Sequence, residues 1–175
     1  NGSSQIVLAV KSGKAIRFEE NKTRPMGRNA SGVRGIRLKD NLDEVVGMVS
    51  VNDMDANILV VSENGYGKRS SLDNYRITNR GGKGVKTISI TEKTGQLVSI
   101  KSVSDQDDLM IINKSGIAIR MEVDNLRVMG RATQGVKLIN LKDNDQIAAV
   151  AKVMKDDDSI EDIENIEVSD DTVIK

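Results

Sequence analysis

The chain has 175 residues, 38% of them hydrophobic and 30% charged, which suffices for one sizeable domain or a short array of repeats with a buried core. With no Cys and no His it can form no disulfide, thiol nucleophile, imidazole metal site or Ser-His triad. No apolar run approaches the roughly 18 residues of a membrane span, and no signal peptide opens the chain. The expectation is a soluble, cytoplasmic chain with no membrane partner and no active site of its own.

One Phe, two Tyr and no Trp leave the core to Ile, Val, Leu and Met, and β-branched residues favour sheet. In chain order the first element is a short apolar run at Ile6–Val10, consistent with a strand buried on both faces. A Lys-Ser-Gly turn at 11–13 follows, then a second strand with Arg17 opposite its apolar neighbours. A basic loop carries the chain to a strand at Val45–Val51 and an acidic turn at Asp53 and Asp55.

The same series then repeats twice. Shifts of 52 and 51 residues superpose Gly13, Gly65 and Gly116, and likewise Arg17, Arg69 and Arg120. Arg24, Arg76 and Arg127 coincide, as do Arg28, Arg80 and Arg131, and Gly32, Gly84 and Gly135 with the Val after each. The later copies read as strands at Ile58–Val61 and Leu109–Ile112, Gly turns at 63–65 and 114–116, and closing strands at Leu97–Val103 and Ile147–Met154. A third strand in each copy shows alternation, as in Val-Lys-Leu-Ile-Asn-Leu at 136–141. Four strands in about fifty residues define an all-β, propeller-like blade. The expected organisation is blades at 1–55, 56–107 and 108–155, followed by a tail at 156–175. Three blades are fewer than a closed propeller needs. The chain therefore reads as the C-terminal part of something longer, or as one of two copies that complete a ring or associate through blade edges.

The formal net charge of zero hides a division. Residues 156–175 hold nine acidic side chains and one Lys, which leaves the body at +8. The tail reads equally as a solvated acidic terminus or as a segment that docks through Ile160, Ile163, Ile166 and Val168 over basic residues.

The basic loops at 24–34, 76–86 and 127–137 carry what function can be read. Each places two Arg four apart, then a glycine, then a basic residue at a strand start. Glycines admit a ligand close to the backbone and let amides form anion nests, and the Arg fork fits phosphate. The candidate DNA-binding residues are Arg24, Arg28, Arg34, Arg37, Lys68, Arg76, Arg80, Lys83, Lys86, Arg127, Arg131 and Lys137. Gly32, Gly81, Gly82, Gly84 and Gly135 are candidate structural glycines, the last of each loop serving equally at a bulge. Arg17, Arg69 and Arg120 are expected to brace neighbouring blades, with the repeated Asp pairs (53 and 55, 105 and 107, 156 and 158) as partners rather than a metal site. Phe18, Tyr66 and Tyr75 are too few for a base-stacking platform, and no recognition helix is present. Backbone-dominated binding of double-stranded DNA is what remains.

Gly65-Tyr66-Gly67-Lys68-Arg69, the run from Tyr75 to Val85 and Val128-Met129-Gly130-Arg131-Ala132-Thr133-Gln134-Gly135-Val136 resemble the C-terminal β-pinwheel domain of bacterial DNA gyrase A. The resemblance covers residues 5–155 and implies the last three blades of a six-bladed pinwheel with strands exchanged between blades. It implies DNA wrapping in support of ATP-dependent negative supercoiling, with the rest of gyrase A and gyrase B as partners. No cofactor is implied for this fragment, which is non-catalytic; ATP and Mg belong to the parent type II topoisomerase. The family's box, Gln-Arg-Arg-Gly-Gly-Lys-Gly, is incomplete here: residues 78–84 read Thr-Asn-Arg-Gly-Gly-Lys-Gly. The alternatives are the corresponding C-terminal domain of topoisomerase IV, which steers substrate choice, and a propeller-type interaction scaffold.

Overall fold

Residues 2–142 and 145–155 are described in the structure, a computed structural model. The strands, in chain order, are β1 Gln5–Val10, β2 Lys14–Glu19, β3 Val45–Val51, β4 Asn57–Ser62, β5 Tyr66–Ser71, β6 Val85–Lys86, β7 Leu97–Val103, β8 Asp107–Asn113, β9 Ala118–Glu122, β10 Val136–Lys137 and β11 Ile147–Met154. The helical elements among these residues are single 3-10 turns at Glu20–Lys22 and Leu72–Asn74.

The strands build three antiparallel sheets, ordered β3-β1-β2-β6, β10-β5-β4-β7 and β11-β8-β9. Each sheet centres on a hairpin whose turn is the Gly turn read from sequence. Its first strand also pairs with the long strand that closes the repeat. The fourth strand of the first two sheets is borrowed. β6 comes from the second repeat yet pairs with β2 of the first, Val85 opposite Ala15 and Lys86 opposite Lys14. β10 comes from the third and pairs with β5, Val136 opposite Gly67 and Lys137 opposite Tyr66. Strand exchange between blades is thus present.

The expected third strand is corrected on two counts. It is two residues long rather than the six of 136–141, and it belongs to the preceding sheet. Leu138, Ile139 and Leu141 instead pack on the second core cluster outside the ladder, and that burial accounts for their apolar pattern.

Burial follows the two-residue period of a strand. In β4, Ile58 and Val60 face the first sheet, where they join Val7, Ala9, Ala15 and Val51. Leu59 and Val61 face the third sheet and join Leu109, Ile111, Ile147 and Val150. A strand between two sheets must be apolar on both faces, hence the unbroken Ile-Leu-Val-Val run. β8 is covered on one side only, and Ile112 is 36% exposed.

The same sandwiching buries Arg17 and Arg69, at 7% and 6% exposure. They do brace neighbours, largely through main-chain carbonyls. Arg17 Nη1 donates to Leu72 O at 2.8 Å and Tyr75 O at 3.0 Å, around the 3-10 turn of the next repeat. Arg69 donates to Leu126 O and pairs with Asp105. Arg120 pairs with Asp108 at 2.6 Å within its own sheet. Of the expected acidic partners, only Asp105 serves an Arg of this set among the described residues. Asp53 caps its own turn by accepting from Asp55 N, and Asp107 binds Ser104 and Lys152. Asp156, Asp158 and the apolar tail positions lie outside the described residues.

The seams are tight where a borrowed strand enters. Gly84 has φ +69°, and a Cβ there would stand 2.5 Å from Ala15 O; Gly130 has open space and no left-handed φ. Gly84→Ala is therefore expected to cost about 3 kcal/mol or more, the left-handed strain plus displacement of β6, while Gly130→Ala stays within about 0.5 kcal/mol. Urea midpoints of the two variants measure the contrast, and equal losses would remove steric closeness as the reason for Gly84.

Candidate nucleic-acid interface

Because β6 and β10 are borrowed, the basic loops that precede them lie across the seams between sheets. The loop at 76–86 leaves the second repeat and lands on the first sheet, where Thr78 N donates to Arg17 O at 2.9 Å. The loop at 127–137 does the same one repeat on, with Met129 N donating to Arg69 O at 2.8 Å. The middle Arg of each loop is a strut as well as a charge. Arg80 donates through Nε to Lys22 O at 3.0 Å and through Nη1 to Arg34 O at 3.1 Å, and Arg131 Nη1 donates to Lys86 O at 2.9 Å.

The remaining loop cations point outward. Arg24, Arg28, Arg34, Arg37, Arg76, Lys83, Lys86, Arg127 and Lys137 are exposed, and their side chains carry no ion pair to other described residues. The loop at 24–34 joins no sheet among the described residues, so the structure brings the second and third groups into equivalent places and leaves the first without a matching seam. Of the glycines, Gly81 and Gly84 have left-handed φ, and Gly82 lies against Ile16; Gly32 and Gly135 are left-handed as well. A cleft of about 190 Å³ opens under the second loop, lined by Arg17, Arg76, Thr78, Asn79, Gly82 and Lys83 among others.

Lys68 is placed differently from the other candidates. It is fully buried, on β5 beneath the third loop, where Nζ donates to Gly130 O at 2.6 Å and Thr133 Oγ1 at 3.1 Å. It cannot reach a phosphate and instead holds the loop from below. Burial, together with the nearby Arg131 charge, pushes its pKa down to about 8. Two further lysines were not singled out by sequence. The half-buried Lys14 lies opposite Lys86 across the β2–β6 pair, and both line a cleft of about 580 Å³ with Lys11 and the exposed Lys39. Lys11 is engaged by Glu44 at 2.9 Å, and the cleft also holds Asp40 and the buried Asp43, which accepts from Ser12 N and Lys39 N, so Lys14, Lys39 and Lys86 extend the basic band beside two carboxylates. Their signal was the register of an exchanged strand, which spacing within one repeat does not reveal.

A family model described as the DNA gyrase C-terminal domain, beta-propeller, matches residues 5–52, 56–104 and 107–154. The chain belongs to this DNA gyrase C-terminal domain family. DNA gyrase A of Staphylococcus aureus strain MRSA252 is 45% identical over 173 residues, covering 98% of this chain and 19% of the relative. The same protein from strain NCTC 8325 is 46% identical over 158 residues, covering 89% of this chain and 18% of the relative. The chain thus spans about a fifth of the length of the curated relatives it matches. A solved DNA gyrase A C-terminal domain superposes with TM-score 0.79 at 29% identity, over 87% of this chain and 51% of that one. A topoisomerase IV C-terminal domain superposes with TM-score 0.82 at 22% identity, over 87% and 47%, and shares the fold. Once the struts are set aside, the loops on the two successive seams present outward-facing cations.

The Lys68 strut has a measurable signature. Its folded pKa lies below the unfolded value of 10.5, so between about 8 and 10.5 the unfolded chain binds more protons and stability from this group rises with pH. Relative to Lys68→Met, the native chain should gain about 1–2 kcal/mol in urea unfolding between pH 7 and 9.5. Parallel pH profiles would show that the buried ammonium is not what the loop rests on.

Proposed function

We propose that this chain binds double-stranded DNA along its basic seam loops and, as part of a gyrase A protein, helps to wrap the duplex for ATP-dependent negative supercoiling. The observation that carries this reading is the set of exposed loop cations with no protein partner among the described residues, repeated at equivalent seams. An Arg or Lys used only as a brace ends on a carboxylate or carbonyl, as Arg17, Arg69 and Lys68 do. The outward set ends on nothing among the described residues, and its planar forks and ammonium groups suit phosphate oxygens.

The mode of binding follows from what else is at hand. Tyr75 and Phe18 are buried, and the Tyr66 ring is capped by Lys93 Nζ at 5.3 Å. No aromatic platform is therefore offered to unstacked bases, and affinity rests on the backbone charge of a duplex. Such contacts position DNA and carry little sequence information. The incomplete box at 78–84 makes this chain a contributor to a longer wrapped path. Its partners in that reading are the rest of gyrase A and gyrase B in the cytoplasm, with ATP and Mg used elsewhere in the holoenzyme. The identity to gyrase A relatives, against the fold-level likeness to topoisomerase IV, favours gyrase of the two.

Titration of a short duplex against the chain over a salt series tests this reading. A slope of log affinity against log salt of about −3 to −6 is expected, at roughly 0.9 per phosphate engaged. Lys83→Glu with Lys137→Glu, both at exposed positions without struts, should flatten the slope by about 2 or more and weaken binding at least tenfold. Absence of binding at low salt, or the same slope in the double variant, would overturn it. Deletion of residues 156–175, which carry a net charge of −8, should tighten binding at low salt and matter progressively less as salt screens the tail. An unchanged or lower affinity would show that the tail does not compete with DNA.

A further inference from the structure

Two apolar side chains stand in the basic loops with no place in any core. Ile77 is 48% exposed and Val128 50%, and neither joins the three clusters of buried residues. One exposed apolar residue on a surface calls for no explanation. These two occupy the same position of successive loops, each directly after an exposed Arg, Arg76 or Arg127, that carries no ion pair to other described residues. The same position of the first loop is Pro25, so it is apolar in all three repeats. Ile77 and Val128 lie at seams whose two sheets are both described.

The main chain around them is held firmly. At the first seam Arg17 ties the chain on both sides of Ile77: its Nη1 donates to Tyr75 O at 3.0 Å, and its own carbonyl accepts from Thr78 N at 2.9 Å. Arg69 does the same around Val128, donating through Nε to Leu126 O and accepting from Met129 N at 2.8 Å. A parallel bridge joins Arg17 to Ile77 and Arg69 to Val128. The backbone is thus fixed from the buried side, and the outward position of the side chain is fixed with it. Backbone bonding of this kind does not demand an apolar side chain, because threonine suits the same extended geometry. An apolar group held outward among cations points to a ligand with apolar strips between its negative charges.

We propose that Ile77 and Val128 pack against the sugar walls of the DNA minor groove where the duplex crosses each seam, with Arg76 and Arg127 beside them on the phosphates. This rests on the duplex-binding reading above and adds an apolar contact to its cations. Groove dimensions select the minor groove. It is about 6 Å wide, against about 12 Å for the major groove, so one branched side chain can touch both walls. Its deoxyribose faces are apolar at every step, whereas the major groove offers a methyl group only at thymine. Wrapping narrows the minor groove where it faces the protein, and the deepened negative potential there attracts Arg. The direction of bending excludes intercalation. An apolar wedge between base pairs kinks the duplex toward its major groove and so away from the wedge, the opposite of wrapping. The contact therefore leaves the stack intact. It also favours A·T pairs at the seams, since the amino group that guanine places in the minor groove would be buried without a partner.

Modified duplexes probe this contact on the native chain. Adenine replaced by 2,6-diaminopurine gains an amino group in the minor groove, and thymine replaced by uracil loses a methyl group from the major groove. Diaminopurine should weaken binding about threefold or more, and uracil should leave it unchanged. In the variant carrying Ile77→Ser and Val128→Ser, affinity for the unmodified duplex should fall about fivefold as the apolar contact is lost. That variant should no longer distinguish diaminopurine from adenine, and its salt slope should stay native because no phosphate contact is removed. The exchange of the two side chains, Ile77→Val with Val128→Ile, should bind as the native chain does. Equal affinity of the native chain and the serine variant overturns the proposal. So does a diaminopurine penalty that the serine variant keeps, or a uracil penalty that exceeds it. A serine variant with a lowered urea midpoint and an unchanged ratio between the probes assigns both side chains to the fold, which also overturns it. Failure of the duplex-binding reading itself shows separately, as loss of binding or of the salt slope in the native chain, and takes this contact with it.

Discussion

The buried guanidinium at each seam is the contact on which the array depends. Arg17 and Arg69 leave their own strands and end on main-chain carbonyls of the following repeat, around Leu72 and Tyr75 in one case and Leu126 in the other. A carbonyl at the end of a short 3-10 turn has spare acceptor capacity, and a guanidinium is the side chain with enough donors to use several at once. Loss of that guanidinium would leave carbonyls of the following repeat short of a donor, so the cost is borne by two repeats together. Next to it enters the borrowed strand, and beneath both lies the shared apolar layer. Anchor, strand and layer all cross the same boundary, so no single repeat can complete its own core.

The candidate interface is a by-product of this arrangement. A chain that must pass from one sheet to the next needs a connecting loop on the outside, and the loop's insertion into a tight antiparallel pair demands glycine at Gly84 and Gly135. The cations are then divided by geometry. Arg80 and Arg131 stitch the loop to carbonyls, and Lys68 holds it from below. What is left over faces solvent. Lys14 and Lys39 join that outward set because the exchange sets Lys86 directly across from Lys14.

Much of this was legible in the sequence because the repeat triples every signal. The hairpin turns, the both-sides-buried run of β4 and the closing strands β3, β7 and β11 all lie where apolar pattern and Gly spacing put them. What spacing could not show was ownership. Val136–Lys137 carries the pattern of a strand whichever sheet it joins, and Leu138, Ile139 and Leu141 extend that pattern by packing outside the ladder. Charge misled in a similar way. Lys68 reads as a phosphate-binding cation, yet it is buried because its acceptors arrive from a loop about sixty positions further on. The sequence states which side chains need partners, and only the fold supplies the distance over which they are found.

The borrowed strands are two residues long, while the sheets they join have ladders of five or six residue pairs. Tension applied along the outer loops would therefore load the shortest ladders first and spare the hairpins behind them. Under pull, each sheet would behave as a stiff plate and each seam as a hinge that opens by peeling. A path of this kind yields in small reversible steps instead of a single rupture, because a two-residue strand can leave and re-enter its groove without unfolding the plate on either side.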